Sequence, residues 1–492
     1  MREKNRFSQL LDHLMSVTAL KNSTLAKAVQ YDVSYISKWV SGKLLPTEKN
    51  AEKVFREISR CVVDELDEGS RAVLYHEYQV NSDEELGRAI YDNLEIEFSY
   101  VKDLKQSTGA DVTEKTSFFP ELTLAQFITK MRHPALRRVN ELEVIAVVDI
   151  LTLDQDYQLL IAEMENRRNV AGLNYPGVHF SMVINLEDSA KYNTYNAVFL
   201  MNLLTNLANV DFQLYGSQQA IGKIVFAVNN AYSISGMMVD SSHCMAVTTS
   251  EELSICNAIY GKIATFCSEE MRLVRKTTIS EMLQNYDYVQ SLVSPNQQWI
   301  LGHMTEHFLP EDLHEEFLNR YGQGLSDSDM DKMRKLHKLT LNVLEETDVQ
   351  VMFHENAFTD FAVPGELDFY NEKILLTPEQ RLKCMNHILT LMEKNKGLRV
   401  KLIHGGLITD FQHIPNPTLF LSDSVCYLRL IKEGPVNNIS ILNKVTICDI
   451  FRSFFNDVWT DGKYSSVENG QSVEKTLRHV MRSVEMLSRL YK

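Results

Sequence analysis

Between positions 23 and 46 the chain gathers side chains that can donate to a polyanion: Ser23, Thr24, Lys27, Ser34, Tyr35, Ser37, Lys38, Ser41 and Lys43. Hydroxyls and ammonium groups are hydrogen-bond donors, and Asp32 is the one acidic residue in this run. Ile36 and Trp39, three apart with Val40 beside them, would bury one side of a short helix. Ser34, Tyr35, Ser37, Lys38 and Ser41 then share the opposite side, where they can reach phosphate oxygens or base edges. Lys43 follows in the next turn, placed for a backbone phosphate. Ser23, Thr24 and Lys27 open the preceding helix, whose N-terminal N–H groups favour an anion.

Other clusters offer different chemistry. Asp240, His243 and Cys244 set a thiol beside a base in the run DSSHC. Polar loop residues between strands produce the same pattern, and catalysis is not assigned to them. His303 and His307 are four apart and on a helix would share a face able to take a metal. The sequence there is not H-E-x-x-H, no third ligand accompanies them, and we read them as core or surface histidines. His404-Gly405-Gly406 closes a strand, a place where α/β folds put ligand loops. No Gly-Lys-Ser/Thr follows it, and G-x-G-x-x-G is absent. The seven cysteines are odd in number and widely spaced, with no C-x-x-C. Neither a zinc cage nor a disulfide framework is expected, and no metal or cofactor is assigned.

The elements around the 23–46 run follow from its neighbours. Phe7, Leu10, Leu11, Leu14 and Met15 fall at helical spacing and predict a first helix. A second runs over 24–29 with Asn22 or Ser23 as N-cap, and a third over 33–40 capped by Asp32. Gly42 ends the third at a positive φ, Pro46 lies in the following turn, and 47–61 forms a further helix. Charge supports the grouping. Residues 1–60 hold 11 Lys/Arg against 6 Asp/Glu, while the whole 492-residue chain has a net charge of −15. A basic head on an acidic body is the asymmetry expected when only the head meets phosphate.

Here the sequence resembles the lambda-repressor-like, or XRE, family of bacterial regulators. The pattern L-A-x(9)-I-S-x-W-x-x-G-x-x-x-P is carried by Leu25, Ala26, Ile36, Ser37, Trp39, Gly42 and Pro46. The resemblance covers about residues 7–60 and implies a five-helix DNA-binding domain acting as a dimer on a paired site. One departure is Gln30, at the turn position where the family favours Gly. A left-handed backbone there costs on the order of 1 kcal/mol.

Behind the head, 61–105 keeps helical periodicity and reads as an acidic connector, with the polar run 106–116 as a linker. From 118 onward β-rich runs alternate with helical ones, predicting a layered α/β body. Strands are expected at 143–151, 178–186, 211–215, 224–228 and 237–248, and helices at 154–167, 194–208 and 251–271. A mostly helical bridge is expected over 272–345. Strands at 349–353, 398–404 and 418–430 follow, with helices at 377–394, 445–459 and 472–491. Two stretches share an order: helix, strand, glycine, further strands, then a long helix with aromatic positions. Two similar halves, or two ordinary α/β segments, both fit. The late helix ending in Trp459 gives the body a look of the two-half phospholipase-D-like fold, whose signature H-x-K-x(4)-D is absent, so that resemblance implies a catalytically dead derivative.

The fold class expected is therefore multidomain: an all-α helix-turn-helix head (1–62), a helical connector and linker (63–117), and a large α/β body. The body divides into 118–275, a helical bridge (276–345), and 346–492. The function expected is a sequence-specific DNA-binding transcriptional regulator, not an enzyme. It would be dimeric on double-stranded DNA, with a small-molecule or protein effector on the body, cytoplasmic, and nucleoid-associated when bound. No apolar run of about 18 residues is present, and no signal peptide or membrane partner is expected. A toxin-linked or defence enzyme with an autoregulatory DNA-binding head is the alternative. A peptide-sensing helical-repeat body is disfavoured, because 140–270 and 350–430 are too strand-rich and show no 34-residue period.

Overall fold

The computed structural model describes residues 5–78, 82–107, 116–131, 133, 135–136, 139, 141–162, 178–186, 194–206, 211–322, 326–404, 418–429, 439–460, 466–467 and 470–490. The first part is helical: α1 (Arg6–Val17), α2 (Asn22–Val29), α3 (Val33–Val40), α4 (Ala51–Asp64), α5 (Glu68–Tyr78) and α6 (Asp83–Ser107). Phe7, Leu11, Leu14, Leu25, Ile36, Trp39, Phe55 and Ile58 form one core. The connector helices join it, because α6 lays Leu86, Ile90, Leu94 and Phe98 onto α1 and α4. Phe98 meets Phe55 edge-on at 5.3 Å and Phe7 at 6.2 Å. The apolar stripe of α6, from Leu86 to Val101, has to bury somewhere, and the head supplies the surface. Most of the expected linker lies outside the described residues.

The body begins with β1 (Thr116–Thr123), α7 (Leu124–Met131), β2 (Leu142–Val148), α8 (Gln155–Ala162), β3 (Val178–Ile184), α9 (Thr194–Asn206) and β4 (Asp211–Gly216). It continues with β5 (Lys223–Val228), β6 (Tyr232–Met238), β7 (His243–Ser250) and α10 (Leu253–Ala264). The next stretch holds β8 (Val274–Thr277), α11 (Ile279–Gln284), α12 (Asp287–Val293), β9 (Gln297–Leu301), α13 (Glu311–Tyr321), α14 (Asp327–Glu346) and β10 (Val349–His354). After these come α15 (Glu355–Ala362), the hairpin β11 (Glu366–Phe369) and β12 (Glu372–Leu375), α16 (Pro378–Lys394) and β13 (Leu398–His404). The chain closes with β14 (Thr418–Leu421), β15 (Cys426–Arg429), β16 (Ile439–Leu442), α17 (Val445–Thr460), β17 (Ser466–Val467) and α18 (Gly470–Leu490).

Two mixed sheets result, and their topology repeats. The first runs β1-β7-β6-β5-β2-β3-β4, and the second β8-β16-β15-β14-β9-β10-β13, with β17 added at its edge. In each, three parallel strands (β2, β3, β4 and β9, β10, β13) continue into an antiparallel meander. The strand preceding each parallel set returns to pair with the last of the meander, β1 on β7 and β8 on β16. A local detail repeats too. Cys256 and Cys448, each in the first turn of the helix after the meander, donate their thiols to the carbonyls of Ser250 (3.3 Å) and Leu442 (3.6 Å), six residues earlier in both cases. The central strands read as nearly continuous apolar runs, as β2 does in Leu-Glu-Val-Ile-Ala-Val-Val, because both their faces are covered.

The two sheets share one apolar core, which lies between them and holds α9 from the first half and α17 from the second. The outer face of the first sheet is covered by α10, and that of the second by α13 to α16 and α18. The sequences of the two equivalent helices explain their different places. In α10 only Cys256 and Ile263 are buried. In α17 Ile447, Cys448, Ile450, Phe451, Phe454, Phe455 and Val458 are, since it packs on a sheet from one side and a helix from the other.

Several local expectations differ from what is found. The strand expected at 237–248 is the end of β6, a turn closed by Asp240, and β7. The strand expected at 418–430 is the hairpin β14–β15, which turns where Ser422 Oγ donates to the Val425 carbonyl. The mostly helical stretch 272–345 contains β8 and the central strand β9, each only four or five residues long and short enough to be hidden between helices. The strand β16 was not anticipated. Gly405 and Gly406 lie outside the described residues.

Candidate nucleic-acid interface

The 23–46 run forms two eight-residue helices, α2 and α3, joined by a tight turn. Gln30 ends α2 in the left-handed region (φ 61°, ψ 39°), and the Tyr31 N–H returns to the Ala26 carbonyl at 3.0 Å. Asp32 begins α3 by accepting from the Ser34 N–H at 2.8 Å. Its hydrogen bonds with the Ser34 side chain and backbone hold this carboxyl below the usual range. The cap of α2 differs from expectation: Lys21 occupies it without a side-chain hydrogen bond. Asn22 instead reaches across to donate to Ser37 Oγ at 3.4 Å.

Burial separates the two sides of α3. Ile36 and Trp39 are closed in the core, where Tyr31 packs on Trp39 at 5.0 Å. Ala26 and Leu25 are buried beneath, and the small Ala26 permits the close crossing. Ser34, Tyr35, Ser37, Lys38, Ser41 and Lys43 are exposed, as are Ser23 and Lys27, while Thr24 is half-buried. Tyr35 keeps 45% of its surface exposed, a large value for a neutral aromatic ring. Tyr31 holds it edge-on at 5.8 Å, and the Lys38 ammonium lies 5.5 Å from its centre. Ser41 Oγ donates to the Lys38 carbonyl at 3.2 Å. The same carbonyl accepts the Lys43 N–H at 2.9 Å, which sets Lys43 beside the end of α3.

Gly42 makes that end possible. Its φ is +74°, and a Cβ there would lie 3.0 Å from Asn5 Nδ2 and 3.1 Å from Ser8 Oγ. Asn5 uses the space to donate to the Gly42 carbonyl at 3.1 Å, tying the start of α1 to the end of α3. A helix of eight residues is about 12 Å long, close to the ~12 Å width of a major groove. Hydroxyl, phenol and ammonium donors line its free side.

No known protein family matches this chain, and no curated protein sequence matches it.

The other clusters resolve differently. Asp240 Oδ1 accepts from the Ser242 N–H and the His243 N–H, both at 2.8 Å, and lies 3.2 Å from His243 Nδ1. That is a turn-closing arrangement. Cys244 is fully buried in the core, and burial, with Asp240 as a lesser cause, pushes its thiol up to about 11, away from nucleophilic use. His303 and His307 do not share a helical face, since the backbone is extended at Thr305 and only Glu306–Phe308 make a short 3-10 turn. His307 is buried among Trp299 (5.2 Å), Phe420 (4.8 Å) and Tyr288 (5.9 Å). Among the described residues no group of three His, Cys, Asp or Glu could hold a metal ion.

Sequence reasoning missed a buried ionic network beside His307. The Arg429 guanidinium donates to Glu306 Oε1 (2.8 Å), Glu306 Oε2 (3.0 Å) and Asp368 Oδ1 (2.6 Å). Tyr288 donates to Glu306 at 2.6 Å. Burial, the largest single influence, would raise the Glu306 carboxyl, but Arg429, His307 and Tyr288 together outweigh it and hold the group at about 2. Asp368, with one oxygen unpartnered, is pushed up to about 6, burial being the main cause. The available signal was a charged residue inside an apolar strand, Arg429 in CYLRL and Asp368 in ELDFY.

Proposed function

We propose that this chain is a sequence-specific DNA-binding regulator. In this reading α2, its turn and α3 are a helix-turn-helix whose second helix enters the major groove. The observation that carries it is the two-sidedness of α3: Ile36 and Trp39 closed in the core, Ser34, Tyr35, Ser37 and Lys38 exposed on the other side. Ser34, Ser37 and Tyr35 would face base edges, with Lys38, Ser41, Lys43, Ser23, Thr24 and Lys27 toward phosphate. Eight residues of α3 span a single groove, so specificity calls for two heads on one paired site, and the acidic α/β body would hold them as a homodimer. An effector on that body changes DNA affinity only by favouring one dimer geometry over another. Such a protein works in the cytoplasm, on the nucleoid when bound. No helix among the described residues is long and apolar enough to cross a membrane.

The test uses an operator selected from random duplexes. Ser34→Ala with Lys38→Ala should abolish the specific mobility shift at fixed salt and leave the thermal midpoint unchanged. An unchanged affinity would remove the assignment. Light scattering on a size-exclusion column should give twice the chain mass.

A second reading concerns the body, and the repeated strand order favours it. Two halves of one topology suit a phospholipase-D-like ancestry, and without H-x-K-x(4)-D such a body would serve binding and dimerisation. The enzyme alternative has less support, because Cys244 is closed in the core and Asp240 is occupied in closing a turn. Nuclease or phosphodiesterase turnover by the full chain, lost on His243→Ala, would restore it.

A further inference from the structure

Among the described residues, several cations of the body meet a carboxylate. Arg275 meets Asp287, Arg334 meets Glu315, Arg452 meets Asp449, and Lys373 meets Glu366. A cleft of about 550 Å³ at the outer edge of the second sheet gathers three that do not. Lys396, Arg399 and Lys401 line it, and among the described residues none of the three has a carboxylate within ion-pair distance.

The strand geometry puts two of them together. Along β13, Leu398, Val400 and Leu402 alternate inward, so Arg399 and Lys401 share the other face. Both lie over Trp459 at the end of α17. The Lys401 ammonium is 4.5 Å from the indole centre and donates to the Trp459 carbonyl at 2.6 Å, and the Arg399 guanidinium is 5.9 Å away. Phe455 stacks on Trp459 at 5.6 Å and fixes the ring. Burial, and then the neighbouring Arg399 charge, push the Lys401 ammonium below its usual range, a strain that a bound anion relieves. The opposite wall is apolar, with Leu389 and Met392 of α16. Two acids also border the cleft: Glu474 is engaged by Arg478 at 2.8 Å, and Glu393 stands exposed on α16.

We propose that this cleft binds an amphipathic organic anion, a carboxylate or phosphate monoester on an aliphatic chain, with its head on Arg399, Lys401 and Lys396 and its tail against Leu389 and Met392. As the effector site of a DNA-binding regulator, it rests on the function proposed above. A link to the rest of the body is built in, because Trp459 ends the helix that packs on α9 of the other half.

Calorimetric titration of the full chain with octanoate, octyl phosphate, inorganic phosphate and octan-1-ol tests the proposal. Octanoate or octyl phosphate should bind at one site per chain. The octyl anion should bind about tenfold or more tighter than either octanol or inorganic phosphate, since charge-assisted contacts and apolar burial each supply that factor. Binding of octanoate alone identifies a carboxylate ligand, and of octyl phosphate alone a phosphate monoester. The double variant Lys396→Ala, Arg399→Ala removes exposed side chains that meet no carboxylate among the described residues, should keep the parent thermal midpoint, and should weaken binding about tenfold. The proposal is overturned if neither octyl anion binds, if the double variant binds as well as the parent, or if inorganic phosphate binds as tightly as octyl phosphate. Mobility shifts on the same preparations separate the two readings. Absent ligand binding with an intact shift removes the cleft alone, and ligand binding with no shift on any duplex removes the regulator.

Discussion

At the scale of single residues, two sites hold backbone or charge in places that resist substitution. Gly42 sits at positive φ with its missing Cβ replaced by Asn5 and Ser8. Gly42→Ala should destabilise the head by about 1–2 kcal/mol, from the left-handed penalty and displacement of Asn5. The loss would be read as faster amide exchange in α1 and α3. Gln30, at φ 61°, is the reverse case: the chain tolerates a strain here that a glycine would lower. Arg429 is the other site. With Glu306 and Asp368 it forms a network without solvent contact, and deleting one partner leaves the others charged and dry. Arg429→Met should lower stability by about 3–5 kcal/mol in urea unfolding at pH 7. Adding Glu306→Gln and Asp368→Asn should recover most of that loss. A triple variant no better than the single one would show that the cost is packing and not charge.

At the scale of elements, α17 joins the halves. Phe451 and Phe454 are buried in the core shared by both sheets, against α9 on one side and the second sheet on the other. Phe451→Ala should cost about 3–5 kcal/mol through the cavity it leaves. The more telling readout is hydrogen exchange: protection should fall in the central strands of both sheets together. Loss confined to the second sheet would mean that the halves are energetically separate. The capped helix α16 illustrates an element that is settled locally. Thr377 accepts from the Gln380 N–H, Gln380 returns to the Thr377 N–H, and Pro378 fills the first turn.

At the scale of the whole molecule, buried histidines set a pH limit. Burial pushes His307, His314 and His354 down to about 4 and His337 to about 2. His314 and His337 stack at 3.9 Å, a contact that suits two neutral rings. These groups are neutral when folded and titrate near 6.5 when unfolded, so the unfolded chain takes up more protons below that pH. Stability is then complete above about pH 6.5 and falls as pH drops from 6.5 toward 4, by about 1.4 kcal/mol per unit for each such group. Asp368, raised to about 6, works in the opposite sense as pH falls below 6, but it is one group against several. The urea midpoint of the body should hold above about pH 6.5 and drop steadily from there to pH 5. A flat profile would mean that these rings are not held neutral.

What the sequence determined by itself was local. The Asp32 cap, the positive φ at Gly42, the two faces of α3 and the start of α16 depend on atoms a few residues apart, and short-range spacing encodes them. The α/β character of the body and the similar order of its halves were visible as alternating texture. Only the tertiary structure decided how strands as short as β8, β9 and β16 are placed. Four or five residues carry no period of their own and take their place from the sheet they complete. It decided likewise that Arg429 meets Glu306 and Asp368, which are 123 and 61 residues distant in the chain. It also left Arg399 and Lys401 over Trp459 with no carboxylate within ion-pair distance among the described residues. An apolar strand around a charge hints that it is buried, but which partner meets it depends on neighbours brought in by register and crossover, and those leave no trace in the residues beside it.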